Sequence, residues 1–480
     1  MTVLENYVGG RRRSPADVEL QDVLDPATGE VLAHVPLSGA ADVDEAARAA
    51  AAAWDRWADT PVTERARLMF RVQALLEREL DSLAELVVRE NGKALDEARG
   101  EVRRGIDVVE FAAGMPTLMQ GGALEQVSRG VDTELFRQPV GVVAAITPFN
   151  FPAMVPLWTA PIAIAAGNAY ILKPSPRTPL SAMRLAELFE EAGVPEGIFS
   201  VVHGGEETVN ALCDHPLVRA VSFVGSAPVA KAVYTRAAAA GKRVQALAGA
   251  KNHIVVLPDA NLDAAADGMF SSAFANAGQR CLAGAVGIAV GDIGDELAGR
   301  LARLAREAKL GPGLDRESTI TPVTSAEARE RIAGYIDVGE REGARVLVDG
   351  RFESGDGGFF LGPTILDDVR PEMRVAQEEI FGPVLALERL GSLDDALDAI
   401  AASEFGNASA IFTRSGAAAR AFRRRVTAGM VGINVPVPES MAFFPFAGWK
   451  GSFYGDLHVT GMDGVRFFTE TKVVTSRWPD

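Results

Sequence analysis

The feature that most constrains this chain is a rhythm that begins at Gly141. Short apolar runs, Val142 to Ile146, Ala169 to Leu172, Phe199 to Val202, Ala220 to Val224 and Arg243 to Leu247, alternate with stretches of helical composition such as Pro179 to Ala192 and Pro228 to Ala240. Runs this short and this apolar suit strands covered on both faces, and helices between them supply the cover. Strand and helix in strict alternation predict an α/β fold with a doubly wound parallel sheet. Ligands on such sheets bind beyond the carboxyl ends of the strands. Those ends are Thr147-Pro148-Phe149-Asn150, Lys173-Pro174-Ser175, His203-Gly204-Gly205 and Gly225-Ser226.

Other regions extend this frame. Ala41 to Asp59, Glu64 to Glu90 and about Asp96 to Ala113 read as long amphipathic helices. After Gly249 a second α/β unit follows, with strand candidates Asn252 to Leu257, Ala285 to Val290 and Ala408 to Thr413, and a helix candidate Asp292 to Leu310. Glu125 to Pro139 and Val465 to Trp478 alternate apolar with polar residues, as extended edges do. Bare edges of that length are hazardous, so pairing within an oligomer is expected.

A chain of 480 residues has room for two or three domains. Its 48 basic and 64 acidic residues give a net charge of -16, which argues against a nucleic-acid partner. Two cysteines make no disulfide framework and fit a reducing, cytoplasmic setting. Gln138 to Leu172 holds no charged residue and is long enough to span a bilayer. Five prolines interrupt it, however, and each would leave backbone groups unsatisfied in lipid. A buried strand, loop and helix is the expected form, with no membrane partner. The N-terminus lacks a signal pattern.

Cys281 lies in Asn276-Ala277-Gly278-Gln279-Arg280-Cys281, with a cation beside it. A nearby positive charge favours the thiolate, the reactive form of the side chain. A buried structural cysteine is the competing reading. Asn150 sits in a proline-flanked apolar loop, where an amide suits either donation to a developing oxyanion or a simple turn. Gly225-Ser226 before a helix is a weak phosphate-site signal, strengthened by Lys173 at a neighbouring strand end.

Taken in order and spacing, Thr147 to Pro152, Lys173-Pro174-Ser175, Phe223 to Ser226, Gly278 to Cys281 and Glu379-Ile380-Phe381-Gly382-Pro383 resemble the aldehyde dehydrogenase superfamily over nearly the whole chain. The resemblance implies Cys281 as nucleophile, with Asn150 and the Cys281 amide as oxyanion hole. It implies cofactor contacts from Thr147, Phe149, Lys173, Pro176, Arg177, Gly225, Ser226, Ala248, Glu379 and Phe381, and no metal. It also implies an NAD-binding domain from 1–124 and 140–248, a catalytic domain at 249–450, and a small β oligomerisation element from 125–139 and 451–480. A homodimer or homotetramer follows from the same likeness.

Hydrolytic members of that superfamily carry a glutamate 34 residues before the nucleophile; here the position holds Leu247. Leucine cannot activate water, so hydrolysis of a thioester lacks its general base. Gln245 to His253, Asn150 to Pro156 and Lys450-Gly451-Ser452-Phe453 look like the CoA-acylating methylmalonate-semialdehyde group, which implies coenzyme A as acyl acceptor. The aldehyde substrate of that group carries a carboxylate, and Arg104 and Arg280 match its two arginines. Pro176 stands where the superfamily usually has a ribose-binding glutamate, and Arg177 beside it would suit a 2′-phosphate. NAD is expected, with NADP not excluded. Two alternatives remain open: an aldehyde dehydrogenase that releases a free acid, and a non-catalytic nucleotide-binding oligomer.

Overall fold

Val142–Ile146 and Ala169–Lys173 are buried at every position, and each needs a layer on both faces. The computed structural model, which describes residues 2–16, 18–351 and 357–478, supplies them. Among the described residues an eight-stranded sheet runs, in spatial order, Arg11–Arg13, Asn6–Val8, Phe199–Val201, Ala169–Lys173, Val142–Ile146, Val218–Val224, Arg243–Leu247 and Phe453–Gly455. The five strands from Phe199–Val201 to Arg243–Leu247 are parallel. The chain moves outward from Val142–Ile146 in one direction, then returns to Val218–Val224 on its other side. The strand order therefore reverses between those two strands, which opens a crevice at their carboxyl ends.

The uncharged stretch becomes Val142–Ile146, a loop and the helix Met154–Ala166, all thirteen residues of which are buried. No helix among the described residues is long and apolar enough to cross a membrane. The N-terminal helices pack on this sheet, with one departure from expectation. Glu64 to Glu90 is not one helix but two, Val62–Arg78 and Leu80–Asn91, separated at Glu79. The backbone of Glu79 leaves the helical region there, and the Ser82 hydroxyl lies 2.9 Å from both the Glu79 carbonyl and its carboxylate, its one hydrogen shared between them.

The second sheet has seven strands, ordered Arg345–Val348, Thr364–Val369, Val384–Leu390, Gly284–Val290, Asn252–Val256, Ala408–Phe412 and Met430–Ile433 among the described residues. It is parallel except at the Arg345–Val348 edge. Separate apolar layers cover its two faces.

The described part of the expected C-terminal element, residues 451–478, does not form one unit with 125–139. Phe453–Gly455 pairs antiparallel with Arg243–Leu247, held there by Tyr454, whose ring lies 5.9 Å from that of Tyr234. The helix Gly461–Phe467 packs on Met154–Ala166, where Gly464 meets Ile162. Only Thr469–Arg477 joins the small third sheet, paired with Val131–Pro139 from Thr469 opposite Pro139 to Arg477 opposite Val131. Gly122–Ser128 forms its outer strand, exposed throughout. The two predicted edges thus pair first with each other, because their alternating patterns match over nine positions.

Candidate active site

The crevice begins where Val142–Ile146 ends. The Asn150 carbonyl accepts from Lys93 Nζ at 2.7 Å, and Lys93 pairs with Glu101 at 2.5 Å. Glu101 in turn accepts from the backbone N–H groups of Ala153 and Met154, the entry to the following helix. Both charged side chains are fully buried, and the Lys93 ammonium lies 4.1 Å from the Phe151 ring centroid. A buried ion pair is poor evidence of net stability. Here it fixes one loop from two sides.

The Asn150 side-chain amide donates to the Gln279 carbonyl at 2.9 Å, two residues before Cys281. An amide nitrogen carries two hydrogens, so one remains for an oxygen at this site. The approach to Cys281 is strained. Asn276, Ala277 and Gly278 all have left-handed backbone, with φ of 50°, 51° and 69°. Such a run in non-glycine residues is costly and is held by its surroundings. Gly278 permits the closest contact: a Cβ there would lie 2.2 Å from the Gly382 carbonyl oxygen. Beyond it, the Cys281 carbonyl accepts from Asn252 at 2.9 Å and from Asn407 at 2.8 Å.

Cys281 is partly accessible at the residue level. Burial of the sulfur pushes its thiol up to about 12; Glu439 raises it further, while Arg280 lowers it. The expected activation by Arg280 is therefore present but outweighed, because desolvating a thiolate costs more than one neighbouring cation returns.

Thr147, Phe149, Asn150, Lys173, Pro176, Arg177, Gly225, Ser226, Ala248, Cys281, Glu379 and Phe381 line one continuous cavity of about 1100 Å³. Its chemistry suits a dinucleotide. The helix Ala227–Ala239 opens onto it, and Ser226 makes no capping bond to that helix. A helix N-terminus with a free hydroxyl beside it favours a pyrophosphate. A Cβ at Gly225 would sit 2.6 Å from the Phe223 ring, so the turn is closed to larger residues. Lys173 is 5% exposed and burial lowers its ammonium to about 8. Burial pushes the Glu379 carboxyl up to about 7, against a hydrogen bond from the Ala250 N–H at 2.9 Å. Phe149 and Phe381 meet edge to face at 5.9 Å. The Ala248 N–H is committed to the Ser452 carbonyl.

Arg104 and Arg280 lie outside that lining. Arg104 is half-exposed and pairs with Glu439, Nε to Oε2 at 3.0 Å. Arg103 pairs with Glu77 on the surface.

The aldehyde dehydrogenase family model matches residues 13–474. The chain belongs to the aldehyde dehydrogenase family. It is 55% identical over 479 residues to malonate-semialdehyde dehydrogenase 1 of Geobacillus kaustophilus (strain HTA426), covering 99% of this chain and 98% of that one. The crystal structure of a methylmalonate-semialdehyde dehydrogenase from Oceanimonas doudoroffii superposes with a TM-score of 0.98 at 46% identity, covering 100% of this chain and 99% of that chain. A Sinorhizobium meliloti 1021 protein, provisionally named a methylmalonate-semialdehyde dehydrogenase and solved in complex with NAD, superposes with 0.99 at 44% identity, with the same coverage.

Several residues of this aldehyde dehydrogenase escaped the sequence reading. Lys93, in the loop after Leu80–Asn91, and Glu101, on Leu95–Ala113, carry no local signature beyond a charge each. Asn252 stood in a quoted motif without a role. Asn407 reaches Cys281 across 126 positions, and no pattern along the chain announces it. Glu439 lies in the loop after Met430–Ile433, among prolines, where a charge reads as solvated.

Proposed function

We propose that this aldehyde dehydrogenase oxidises malonate semialdehyde or its 2-methyl homologue with NAD and passes the acyl group to coenzyme A. The observation that carries the reading is Leu247, an apolar residue 5% exposed at the end of Arg243–Leu247, at the position where hydrolytic members of the superfamily carry their glutamate. The names of the similar proteins support the substrate class.

In this mechanism Cys281, as thiolate, adds to the aldehyde carbon. The Asn150 amide and the Cys281 N–H hold the resulting oxyanion. NAD, when bound, supplies the hydride acceptor. Lys173 and Glu379 would hold its riboses and Ser226 its pyrophosphate, a reading supported by their lining one cavity with Thr147, Phe149, Pro176, Arg177, Gly225, Ala248 and Phe381. As the oxyanion collapses, hydride leaves the carbon and a thioester on Cys281 remains. The thiol of coenzyme A then attacks that thioester and Cys281 leaves as thiolate. The β-carboxylate leaves as carbon dioxide and the α-carbon takes up a proton, balancing the one that the coenzyme A thiol gives up, to yield acetyl-CoA or propionyl-CoA. Arg104 and Arg280 hold the substrate carboxylate.

The same reading carries a homodimer or homotetramer, supported by the exposed outer strand Gly122–Ser128 with Leu124, and by Phe136 and Val473 on its neighbours. It also carries a cytoplasmic site of action, supported by two free thiols.

The test is an aldehyde panel with NAD or NADP, with and without coenzyme A, followed by product analysis. Expected is NADH formation and an acyl-CoA product. A free acid made equally fast without coenzyme A would overturn the acyl-transfer reading, and NADH formation by Cys281→Ala would overturn the nucleophile. Selective use of NADP would reassign Arg177 to a 2′-phosphate.

A further inference from the structure

One of the two arginines assigned to the substrate carboxylate, Arg104, is already paired with a carboxylate of the chain itself. Glu439 Oε2 lies 3.0 Å from Arg104 Nε, and its side chain is 15% exposed against 47% for Arg104. Arg104 is thus the open side of the pair and Glu439 the inner side. Glu439 is also within electrostatic reach of Arg280 and of Cys281, and the influence of both arginines opposes the burial that raises its carboxyl. The group is therefore paired with one guanidinium group, and its charge is felt by the other and by the nucleophile. On the assignment of Arg104 to the substrate, a β-carboxylated aldehyde held at Cys281 competes with Glu439 for the same guanidinium.

We propose that Glu439 is a specificity-determining residue that occupies the Arg104 side of the carboxylate clamp and is displaced by the substrate's carboxylate. The inference rests on the assignment of Arg104 and Arg280 to that carboxylate. Two guanidinium groups and one internal carboxylate carry one surplus positive charge, enough to draw in a single anion. A neutral aldehyde gains nothing by displacing Glu439, whereas a carboxylated one replaces the bond it breaks. Glu439 thereby raises the KM of carboxylated aldehydes and keeps Arg104 paired when no substrate is bound.

The test compares malonate semialdehyde with propanal in the full-length enzyme, using Glu439→Gln, Glu439→Ala, Arg104→Leu and the Glu439→Gln/Arg104→Leu double variant, each checked by thermal melting. Removing the competing charge is expected to lower KM for malonate semialdehyde roughly fivefold, the scale of a partly exposed ion pair, and to leave its kcat less changed. The kcat/KM ratio between the two aldehydes should rise accordingly. In the Arg104→Leu background the Glu439 effect should disappear. An unchanged or higher KM, or an equal change for propanal, would overturn the proposal. So would a full effect that persists without Arg104, because Glu439 would then act by direct repulsion. If Arg104→Leu alone affects both aldehydes equally, the clamp assignment fails, an outcome separable from failure of Glu439 alone.

Discussion

Lys93 and Glu101 form an ion pair with no exposed side-chain surface on either partner, and together they hold the loop that presents Asn150. Lys93→Met leaves Glu101 buried without its cation, a change that costs about 3–5 kcal/mol. Because Lys93 also donates to the Asn150 carbonyl, kcat should fall by about 100-fold along with the melting temperature. Glu101→Gln keeps an acceptor for Ala153 or Met154 and should lose less of both. Thermal melts beside steady-state kinetics check this. A variant with lowered stability and intact kcat would limit the pair to a structural role.

The asparagines behind the nucleophile differ in how many bonds they make. Asn252 donates to the Cys281 and Ala283 carbonyls and accepts from the Ala408 N–H, whereas Asn407 is seen donating to Cys281 alone. Asn252→Ala should therefore cost about 2–4 kcal/mol and Asn407→Ala about 1 kcal/mol, from the usual worth of buried hydrogen bonds. Urea unfolding measures both. Equal losses would contradict the ranking.

Leu247 offers a gain-of-function experiment. Leu247→Glu places a carboxylate at the strand end next to the site. Turnover without coenzyme A should rise by about tenfold or more, with free acid as product, the usual reach of a general base. Burying the new carboxylate costs stability, so the melting temperature should drop. A stable variant with no rise in acid release would show that position alone does not supply the base.

Glu388 gives a pH signature remote from the chemistry. It is 1% exposed, and burial pushes its carboxyl from 4.5 up to about 7, partly offset by Lys251. The folded state then binds the proton more tightly than the unfolded chain. Its contribution is complete below pH 4.5 and is lost as pH rises through about 7. Glu388→Gln should remove that decline, on the order of 1–3 kcal/mol between pH 5 and 8. Urea unfolding at both pH values tests it; parallel losses in wild type and variant would contradict the assignment.

The sheets were legible because a strand buried on both faces must be apolar throughout, and that is a local property. The residues lining the cavity were legible because the carboxyl ends of such strands are where ligands gather, and short motifs mark them. Contacts between distant segments were not. The bonds from Asn407 and Lys93 arise from folding alone. The break at Glu79 has no proline or glycine to advertise it. The division of 451–478 is set by what Tyr454 and Gly464 meet, not by their neighbours in sequence. The influence of Arg280 on Cys281 was read with the right sign. Its defeat by burial required knowing the depth of the sulfur.

The contact between Gly278 and Gly382 has a mechanical meaning. One glycine precedes the nucleophile, the other closes the turn that carries Glu379 and Phe381, and they touch backbone to backbone. Neither turn can shift toward the other without moving its neighbour, so the two halves of the cavity share one gauge. Truncating side chains to alanine leaves that gauge untouched. A single added methyl at Gly278 would wedge it open.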